Sequence, residues 1–544
     1  MEAEKLCEYP FFPGVNLRFR FMNDDVQADL KGPLAPIVKI FIGKSFTDHF
    51  KLYKRINTLA EREGQRVYTL YYPPFPSKAY VKFLKTVSKW AWKQLPKAAT
   101  IAVTYACQCE CLHCSAGLYL NPANKELSTE EMKDTIDQCL KLGATNITFT
   151  GGEPLLRPDI YDLIAHVDRD EAVTQLFTNG LLLSKENIKK LKEAGLYSLE
   201  VSLDSPDPEE HDRFRGIKGC FEKAVAGIKT ALEEGLLVGI STYVTKESLR
   251  NGKFEELIRF GRDLGVHEVS IFDTVPTGKY INAEELMLSD EERRVVIQIQ
   301  FRFNKETQGG FRVSTQAFQT SPLAYIPFGC FAGTNQVYVT AYGDVTPCDF
   351  TPIAFGNVRV EPLKQIWDRI RKHPAYRNRS MRCRIQCMDF RERYIHKVPN
   401  TELLPCSVNL LPQEEHPSAI AKAQNWFYSF KASLSINRLR ILDSLPARSI
   451  MHFIVPTKAE VIEMLRMDPD KFEKDLGILI KAGLVRTEPY DGEIYLFTCR
   501  GGLIGLFRRF FTRYFLRLIS NSPPTRPASA KKWMDWVEEK EIFW

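Results

Sequence analysis

Three cysteines in one short loop have the spacing of a metal-cluster site. Cys107, Cys111 and Cys114 stand as C-x3-C-x2-C directly after a strand-like run over residues 101–105. Proteins hold iron–sulfur cubes with thiolates, normally four of them. Three thiolates leave one iron without a protein ligand, and another molecule can bind there. A zinc knuckle, or thiols without any ligand, are the alternatives. Cys109 is an extra thiol that does not fit the spacing.

A second motif favours the iron–sulfur cluster over the zinc knuckle and the unliganded thiols. Gly151-Gly152-Glu153-Pro154 follow the strand-like run over residues 146–150. Together with the cysteine loop, this motif resembles the radical S-adenosylmethionine (radical SAM) superfamily over residues 98–280. The resemblance implies a [4Fe–4S] cluster that binds SAM, reductive cleavage of SAM to a 5′-deoxyadenosyl radical, and removal of a hydrogen atom from a substrate C–H bond. It also implies an external one-electron reductant of the flavodoxin or ferredoxin type.

The resemblance also implies a set of contacts to SAM. The glycine motif would meet the amino group, the ends of the third and fourth strands would line the pocket and bind the ribose, and an arginine would reach the carboxylate. A tight turn at 178–180 and a surface role for the arginines are the alternatives. The predicted catalytic residues are the three cysteine ligands, Cys107, Cys111 and Cys114. The predicted contacts to SAM are Gly151, Gly152, Glu153, Pro154, Thr178, Asn179, Ser202, Asp204 and Arg213, with Arg215 as a second candidate arginine. Cys139 and Cys220 are interpreted as buried, small apolar residues.

A second group of thiols lies further along the chain. Cys330 and Cys348 flank a predicted hairpin in the pattern C-x12-G-x4-C, and Cys383, Cys387 and Cys406 follow. The pattern resembles a shortened SPASM/twitch extension, which binds auxiliary [4Fe–4S] clusters in radical SAM enzymes. The full pattern has a longer cysteine run, so we expect one auxiliary cluster. Its predicted ligands are Cys330, Cys348 and Cys387, with Cys383 or Cys406 as the fourth. A structural zinc site is the alternative.

Alternating strand-like and helix-like segments over residues 98–285 must position these motifs. Six such units predict a parallel sheet with right-handed crossovers, and Ser128 with Glu131 predicts a capping box at the first helix. The resemblance sharpens this α/β fold to a partial (β/α)6 TIM-like barrel, whose sites gather at the carboxyl ends of the strands. The predicted domains are an N-terminal α/β segment (1–97), the barrel (98–285), the auxiliary-cluster domain (286–410) and a helical, winged-helix-like domain (411–544).

Composition is typical of a folded cytoplasmic protein. The 544 residues carry a net charge of +7, with 44% hydrophobic and 26% charged residues. We expect no signal peptide and no membrane span, and the cysteines cluster as metal ligands rather than as a disulfide framework. Basic amphipathic patterns over 80–95 and 503–519 are typical of helices at a membrane surface, although helices that pack on the protein show the same pattern.

Several substrates are compatible with the sequence. The basic helices favour a lipid-like or hydrophobic substrate at a membrane surface. A SPASM-type extension with a winged-helix-like unit favours a ribosomal peptide. Assembly of a cofactor from its precursor, such as a modified haem, is a third option. Acidic residues on the would-be recognition helix, Asp468, Asp470, Glu473 and Asp475, argue against nucleic acid. A non-catalytic iron–sulfur electron carrier is the hypothesis from a different class of protein.

Overall fold

The computed structural model describes most of the chain between its ends. It covers residues 5–411 except 23–24, 37–57, 90–93, 308, 316–329, 378–379, 381 and 400–403, and further along it covers 435, 437–438, 441, 458–482, 484–490 and 493–498. The basic amphipathic pattern over 503–519 lies outside the described residues.

One long sheet organises the molecule. The described strands are β1 (Lys5–Phe12), β2 (Val15–Met22), β3 (Asp25–Lys31), β4 (Ala60–Arg62), β5 (Gln65–Val67), β6 (Ala98–Thr104), β7 (Asn146–Gly151), β8 (Val173–Thr178), β9 (Ser198–Ser202), β10 (Leu237–Tyr243), β11 (Glu268–Phe272), β12 (Arg312–Thr315), β13 (Gln336–Val339), β14 (Val345–Thr346), β15 (Ile353–Ala354), β16 (Cys406–Ser407), β17 (Val485–Tyr490) and β18 (Glu493–Thr498). The long sheet has the order β12-β11-β10-β9-β8-β7-β6-β13-β14, and its neighbours are parallel except for the β13–β14 pair.

Helices cover this sheet on its outer face. The described helices are α1 (Lys78–Lys89), α2 (Thr129–Leu142), α3 (Ile160–His166), α4 (Lys185–Ala194), α5 (Pro208–Arg215), α6 (Cys220–Glu233), α7 (Lys246–Arg250), α8 (Lys253–Leu264), α9 (Asp290–Glu306), α10 (Leu363–Lys372), α11 (Pro374–Arg377), α12 (Met388–Arg393), α13 (Lys458–Leu465) and α14 (Pro469–Lys481). Strands β6 to β11 follow one another in the chain and in the sheet, with helices between them. The predicted partial (β/α)6 TIM-like barrel is therefore confirmed.

Side-chain alternation gives the sheet one apolar face and one polar face. On β7, Ile147 and Phe149 are fully buried in the core that the sheet shares with the helices. On the other face, Thr148 and Glu200 hydrogen-bond Gln175 from either side, across β7, β8 and β9. Successive strand residues point to opposite faces, so the helices cover an apolar surface while polar groups fill the interior. The predicted capping box at the start of α2 is also present.

The segment after β5 closes the amino-terminal end of the barrel. The backbone N–H of Leu70 donates to the Glu268 carboxylate at 2.8 Å, and the Thr69 hydroxyl donates to the same group at 3.0 Å. On neighbouring strands, the Asn146 side chain donates to the carbonyl of Tyr71 at 2.9 Å. Polar barrel residues thus satisfy the backbone of a buried segment that has no strand partner, as buried peptide groups require.

Helix α1 carries the first of the two basic amphipathic patterns. Its apolar side chains Tyr80, Val81, Phe83 and Leu84 are buried against the β1–β3 sheet. Lys82 donates to the carbonyl of Leu140 and pairs with an acidic side chain of the barrel. The structure therefore corrects the membrane-surface interpretation of this helix, because residues 78–86 use their apolar face inside the protein.

The sheet continues beyond residue 285. Strand β12 pairs with β11, and β13 pairs with β6 on the opposite edge. Arg359 reinforces this attachment, because its guanidinium pairs with Glu131 of α2 and donates to the carbonyl of Glu126. The chain that carries the second cysteine group is thus built onto the barrel, and the predicted domain boundaries stay predictions.

The C-terminal part forms a small core of its own. Helices α13 and α14 pack with the antiparallel β17–β18 hairpin. The order helix, helix, hairpin agrees with a winged-helix-like pattern, and that assignment stays a prediction. Among the described residues, no helix has the length and apolar character needed to cross a membrane.

The closure of the barrel can be tested at Glu268. Glu268→Ala leaves the Leu70 N–H and the Thr69 hydroxyl buried without an acceptor, so we expect the unfolding free energy to fall by about 1–3 kcal/mol. Glu268→Gln keeps one carbonyl oxygen and should lose clearly less. Urea denaturation of both variants measures the difference. Equal losses would show that this acceptor does not hold the segment.

Candidate active site

The cysteine loop leaves β6 at the carboxyl edge of the barrel. Cys107 is exposed, Cys111 is buried and Cys114 is half-buried. The last turn of α5 holds the middle of the loop, because Glu110 N donates to the carbonyl of Arg215 at 3.0 Å. The next pair continues this ladder, with Leu112 N donating to Phe214 O at 3.0 Å. The three predicted ligands therefore lie on a loop whose backbone is fixed from outside.

The glycine motif supports the same loop from the other side. Gly152 N donates to Thr104 O at 2.7 Å and Glu153 N donates to Ala106 O at 2.8 Å. A Cβ atom at Gly152 would lie 2.3 Å from Ala106 O. At Gly151, with φ of +135°, a Cβ atom would lie 2.0 Å from Thr104 O. Only glycine allows this close approach of two backbones.

Glu153 joins three of the predicted cofactor contacts into one unit. Its buried carboxylate accepts hydrogen bonds from the Thr178 hydroxyl and from Asn179 N, both at 2.8 Å, and from Leu155 N at 3.1 Å. Burial raises the pKa of Glu153 to about 7, against the opposing effect of these donors. Pro154 starts a short 3-10 turn directly after it. These Glu153 contacts all lie within the protein, and SAM contact by the motif stays a prediction.

Asn179 connects this unit to the cluster loop. Its side-chain amide donates to Gln108 Oε1 at 3.1 Å and lies 3.9 Å from the Cys107 sulfur. The sulfur of Cys107 also accepts from Cys109 N at 3.4 Å. Hydrogen bonds from Cys109 lower the pKa of Cys107 to about 6 and that of Cys111 to about 7. Donors around the sulfur favour the thiolate, which is the form that binds metal.

A buried ion pair stands beside Cys111. Arg215 Nε lies 2.7 Å from Asp204 Oδ2, and Arg215 Nη2 donates to Asp204 Oδ1 at 3.0 Å. The third guanidinium nitrogen lies 3.7 Å from the Cys111 sulfur. Burial opposes the charge of Asp204, but pairing with Arg215 outweighs it and lowers the pKa of Asp204. The guanidinium of Arg215 places a fixed positive charge beside a predicted cluster ligand.

Two histidines flank this pair. His113 Nε2 lies 3.7 Å from Asp204, and burial lowers the pKa of His113 to about 4. His211 is fully buried and accepts a hydrogen bond from Asp204 N at Nδ1. An acceptor nitrogen carries no proton, so a neutral His211 holds its proton on Nε2. The lowered pKa of His113 keeps it neutral beside Asp204 at neutral pH.

The structure corrects the choice of arginine. The Arg213 side chain is 67% exposed, lies 3.8 Å from Glu210 and covers the Phe214 ring. Arg215, two residues later on the same short helix, points to the opposite side and into the site. Residues two apart on a helix face different directions, and this explains why Arg213 does not reach the pocket.

An aromatic wall was missed by the sequence analysis. His113 stacks on Tyr243 with ring centroids 4.1 Å apart, and Phe214 meets both rings edge-on. Phe272 lies at the end of β11 and contacts Phe177 and Phe350 edge-on at centroid distances of 6.2 and 6.4 Å. The position of Tyr243 and Phe272 at carboxyl ends of strands was the available signal. Ser202, also at a strand end, is half-buried.

Lys279 closes the loop next to Cys114. Its ammonium donates to Cys111 O at 2.8 Å and its backbone N–H donates to Cys114 O at 3.1 Å. Gly278 has a φ of +54°, and a Cβ atom there would lie 2.3 Å from Cys114 O. The chain after β11 thus lies against the loop, which only the fold could reveal.

The second cysteine group also comes together. Cys330, Cys348 and Cys383 are buried and Cys387 is half-buried. Burial and the charges of Cys330, Cys348 and Cys387 raise the pKa of Cys383, so these four thiols share one environment. Cys406 is placed in β16, paired with Ile353 of β15. We propose Cys383 as the fourth ligand, next to Cys330, Cys348 and Cys387, with Cys406 as the alternative.

Comparison with known protein families matches the two parts of the chain that contain the cysteine groups. The radical SAM superfamily matches residues 101–261, and an iron–sulfur cluster-binding domain, SPASM, matches residues 330–389. The chain is similar to the AdoMet-dependent heme synthase of Methanosarcina barkeri, at 30% identity over 296 residues that cover 51% of this chain and 84% of the relative. It is also similar to the PqqA peptide cyclase of Gluconobacter oxydans, at 27% identity over 279 residues that cover 50% of this chain and 76% of that protein.

A solved structure gives a more distant likeness. Streptococcus suis SuiB bound to its precursor peptide SuiA covers 68% of this chain and 88% of its own, with a TM-score of 0.44 and 16% identity.

A partial barrel with three thiols at its carboxyl edge and a second thiol group on an extension defines an iron–sulfur barrel protein. The chain belongs to the radical SAM superfamily and carries a SPASM domain. Its cofactors are SAM, a [4Fe–4S] cluster and an auxiliary iron–sulfur cluster. Within the described part of the chain, no three His, Cys, Asp or Glu side chains are already arranged to hold a metal ion. The residue types fit these groups, because the thiols of each set are near enough to influence one another and polar groups approach the sulfurs of Cys107 and Cys111.

The two arginines of α5 form a matched pair for mutation. Arg215→Ala leaves Asp204 as an unpaired buried charge, so we expect a loss of about 3–5 kcal/mol in unfolding free energy. Arg213→Ala removes an exposed side chain and should change it by less than about 0.5 kcal/mol. Urea denaturation of the iron-free proteins gives both values. A similar small effect of both substitutions would contradict the central place of the ion pair.

The fourth auxiliary ligand can be identified by iron content. In a chain with Cys107, Cys111 and Cys114 all changed to Ala, only the auxiliary site should bind iron. We expect Cys383→Ala to remove most of the remaining iron after anaerobic reconstitution, and Cys406→Ala to leave it in place. Iron and sulfide analysis with absorbance spectra measures both. The reverse pattern would assign Cys406 instead.

Proposed function

We propose that this chain is an enzyme that begins its reaction at a substrate C–H bond in the mouth of the barrel. The observation that carries the proposal is the three-cysteine loop, fixed by α5 on one side and by the glycine motif on the other. When bound, a [4Fe–4S] cluster with SAM supplies a 5′-deoxyadenosyl radical, which removes a hydrogen atom from such a bond. Cys107, Cys111 and Cys114 would hold the cluster.

The surrounding residues would bind and orient SAM. Ser202 offers a half-buried hydroxyl at the end of β9 for the ribose. Asp204 uses its carboxylate on Arg215, so we assign it as a positioning residue rather than a direct contact. The His113–Tyr243 stack offers a flat apolar surface beside the cluster loop. Such an enclosed wall excludes water from a reactive intermediate.

A tetrapyrrole-like macrocycle is the substrate class that we propose first. The similarity to a heme synthase extends over 84% of that protein. Phe177, Phe272 and Phe350 line the mouth of the barrel with contacting rings, and a large flat macrocycle can pack on aromatic side chains. Together these observations support a planar substrate that lies across the mouth.

A peptide is the second candidate. It is supported by the similarity to a peptide cyclase and by the helix, helix, hairpin order of the C-terminal part. Of the two basic amphipathic patterns that favoured a lipid-like substrate, the one in α1 no longer does so, because α1 buries its apolar face inside the protein. The other support, residues 503–519, lies outside the described residues.

Formation of 5′-deoxyadenosine tests the proposal. The reconstituted, reduced protein should form it from SAM, and a carboxylated iron porphyrin should raise the rate several-fold. Cys111→Ala should abolish formation because the cluster loses a ligand. Cys139→Ala, a buried thiol of α2, is the matched control and should keep the wild-type rate.

Each other outcome assigns a different function. Stimulation by a peptide or by anionic lipid vesicles, without an effect of porphyrin, would replace the proposed substrate class. Formation that persists in Cys111→Ala would contradict the ligand assignment. No product and no spectral change on addition of SAM would favour a non-catalytic electron carrier.

A further inference from the structure

A fourth thiol of the cluster loop lies beside a buried thiol from a distant part of the chain. Cys109 lies within hydrogen-bonding reach of the thiols of Cys107, Cys111 and Cys220. Cys220 is the first residue of α6, more than a hundred residues later in the chain, and it is fully buried. Asn179 confirms this proximity, because its carbonyl lies 4.0 Å from the Cys220 sulfur and its amide 3.9 Å from the Cys107 sulfur.

The three thiols form a path from the surface to the core. Cys107 is exposed, Cys109 is half-buried and Cys220 has no exposed surface. An oxidant in solution can therefore reach Cys107 but not Cys220. Cys220 lies at the amino terminus of a 14-residue helix and beside the imidazole of His211. A helix amino terminus favours the thiolate, the form that attacks disulfides.

We propose that Cys107, Cys109 and Cys220 form a thiol relay, which moves an oxidation from a cluster ligand to a buried Cys109–Cys220 disulfide after the cluster has been lost. The relay goes beyond the proposed function, because it needs only the positions of these thiols. It gives a role to Cys109, which the cluster motif does not use. It also gives a role to Cys220, which the sequence suggested was only a small apolar residue.

The steps balance with a peroxide as the oxidant. The Cys107 thiolate attacks hydrogen peroxide and becomes a sulfenic acid with release of hydroxide. The Cys109 thiol displaces water from it and forms a Cys107–Cys109 disulfide. The Cys220 thiolate then attacks the Cys109 sulfur and releases Cys107 as a thiolate. In total, two thiols and one peroxide give one disulfide and two waters.

The final exchange has a structural reason. A disulfide between Cys107 and Cys109 closes a ring through one intervening residue, and strained disulfides are more easily reduced. The Cys109–Cys220 disulfide joins two separate segments that already touch. The outcome leaves Cys107, Cys111 and Cys114 as free thiols, ready to bind a new cluster.

Peptide mapping of the oxidised holoprotein tests the relay. The full-length, reconstituted protein is treated with increasing hydrogen peroxide, free thiols are alkylated, and the chain is digested with trypsin without reduction. Trypsin releases residues 98–125, which contain Cys107, Cys109, Cys111 and Cys114, and residues 219–223, which contain Cys220. We expect a disulfide between these two peptides as the main product of the loop, located at Cys109 by fragmentation, with the three ligand cysteines alkylated.

Two variants separate the relay from unspecific oxidation. Cys220→Ala should stop the sequence one step earlier, so that the 98–125 peptide loses two alkylated cysteines to an internal Cys107–Cys109 disulfide. Cys109→Ala should leave Cys107 over-oxidised to sulfinic acid. Cys139→Ala is the matched control, since it removes a fully buried thiol of α2 and should give the wild-type map.

Clear results would overturn the proposal. An alkylated Cys220 in the oxidised wild-type protein, at peroxide levels that consume Cys107, would show that the exchange does not occur. A Cys109→Ala chain with the same products at Cys107 and Cys220 as the wild type would show that Cys109 is not part of the path. Because the wild-type map is decisive alone, poor folding of a variant does not protect the proposal.

Discussion

The buried ion pair between Asp204 and Arg215 is the interaction on which the site depends. Moving two charges out of water costs several kcal/mol for each ion unless the geometry is close and the remaining atoms are satisfied. Here two guanidinium nitrogens lie within 3.0 Å of the carboxylate, and the third lies 3.7 Å from the Cys111 sulfur. Only the Nη2–Oδ1 contact is a hydrogen bond, since Arg215 Nε and Asp204 Oδ2 are close as charges but have no hydrogen-bond partner. The same residue receives Glu110 N on its backbone carbonyl. Arg215 thus joins the segment after β9, the end of α5 and the cluster loop through its side chain and its backbone carbonyl.

The parts that follow from short-range rules could be predicted from the sequence. The alternation of strands and helices over 98–285 and the spacing of both cysteine groups need only local pattern and ligand chemistry. The glycine motif was also found from the sequence, and contact of SAM with it stays a prediction. Gly151 and Gly152 are required in the structure because two backbones touch there. A cofactor contact is an additional requirement that the motif alone does not separate from this one.

The parts that depend on orientation could not be predicted. Arg213 and Arg215 are both arginines of one short helix, and the sequence does not show which face of α5 points inward. The sequence also does not show which way α1 faces. Its lysines form ion pairs with Asp170 and Glu171 of the barrel, and partners so distant in the chain leave no local signal. The contact between Cys109 and Cys220 is another long-range fact. It needs the register of β6 and the start of α6 to be fixed first.

The interior of the barrel limits where a substrate can lie. Glu200 is fully buried, and its pKa is raised well above the ordinary value by burial and by the nearby Glu268 carboxylate. Gln175 donates to Glu200 at 3.2 Å, and a Cβ atom at Gly239 would lie 2.6 Å from its second oxygen. A polar layer therefore fills the half of the barrel near the amino ends of the strands, and the segment around Leu70 closes that end. A substrate must then approach from the carboxyl edge and lie above this layer, where the aromatic side chains and the cluster loop are found. This geometry favours a flat molecule that covers the mouth over an extended one that enters the barrel along its axis.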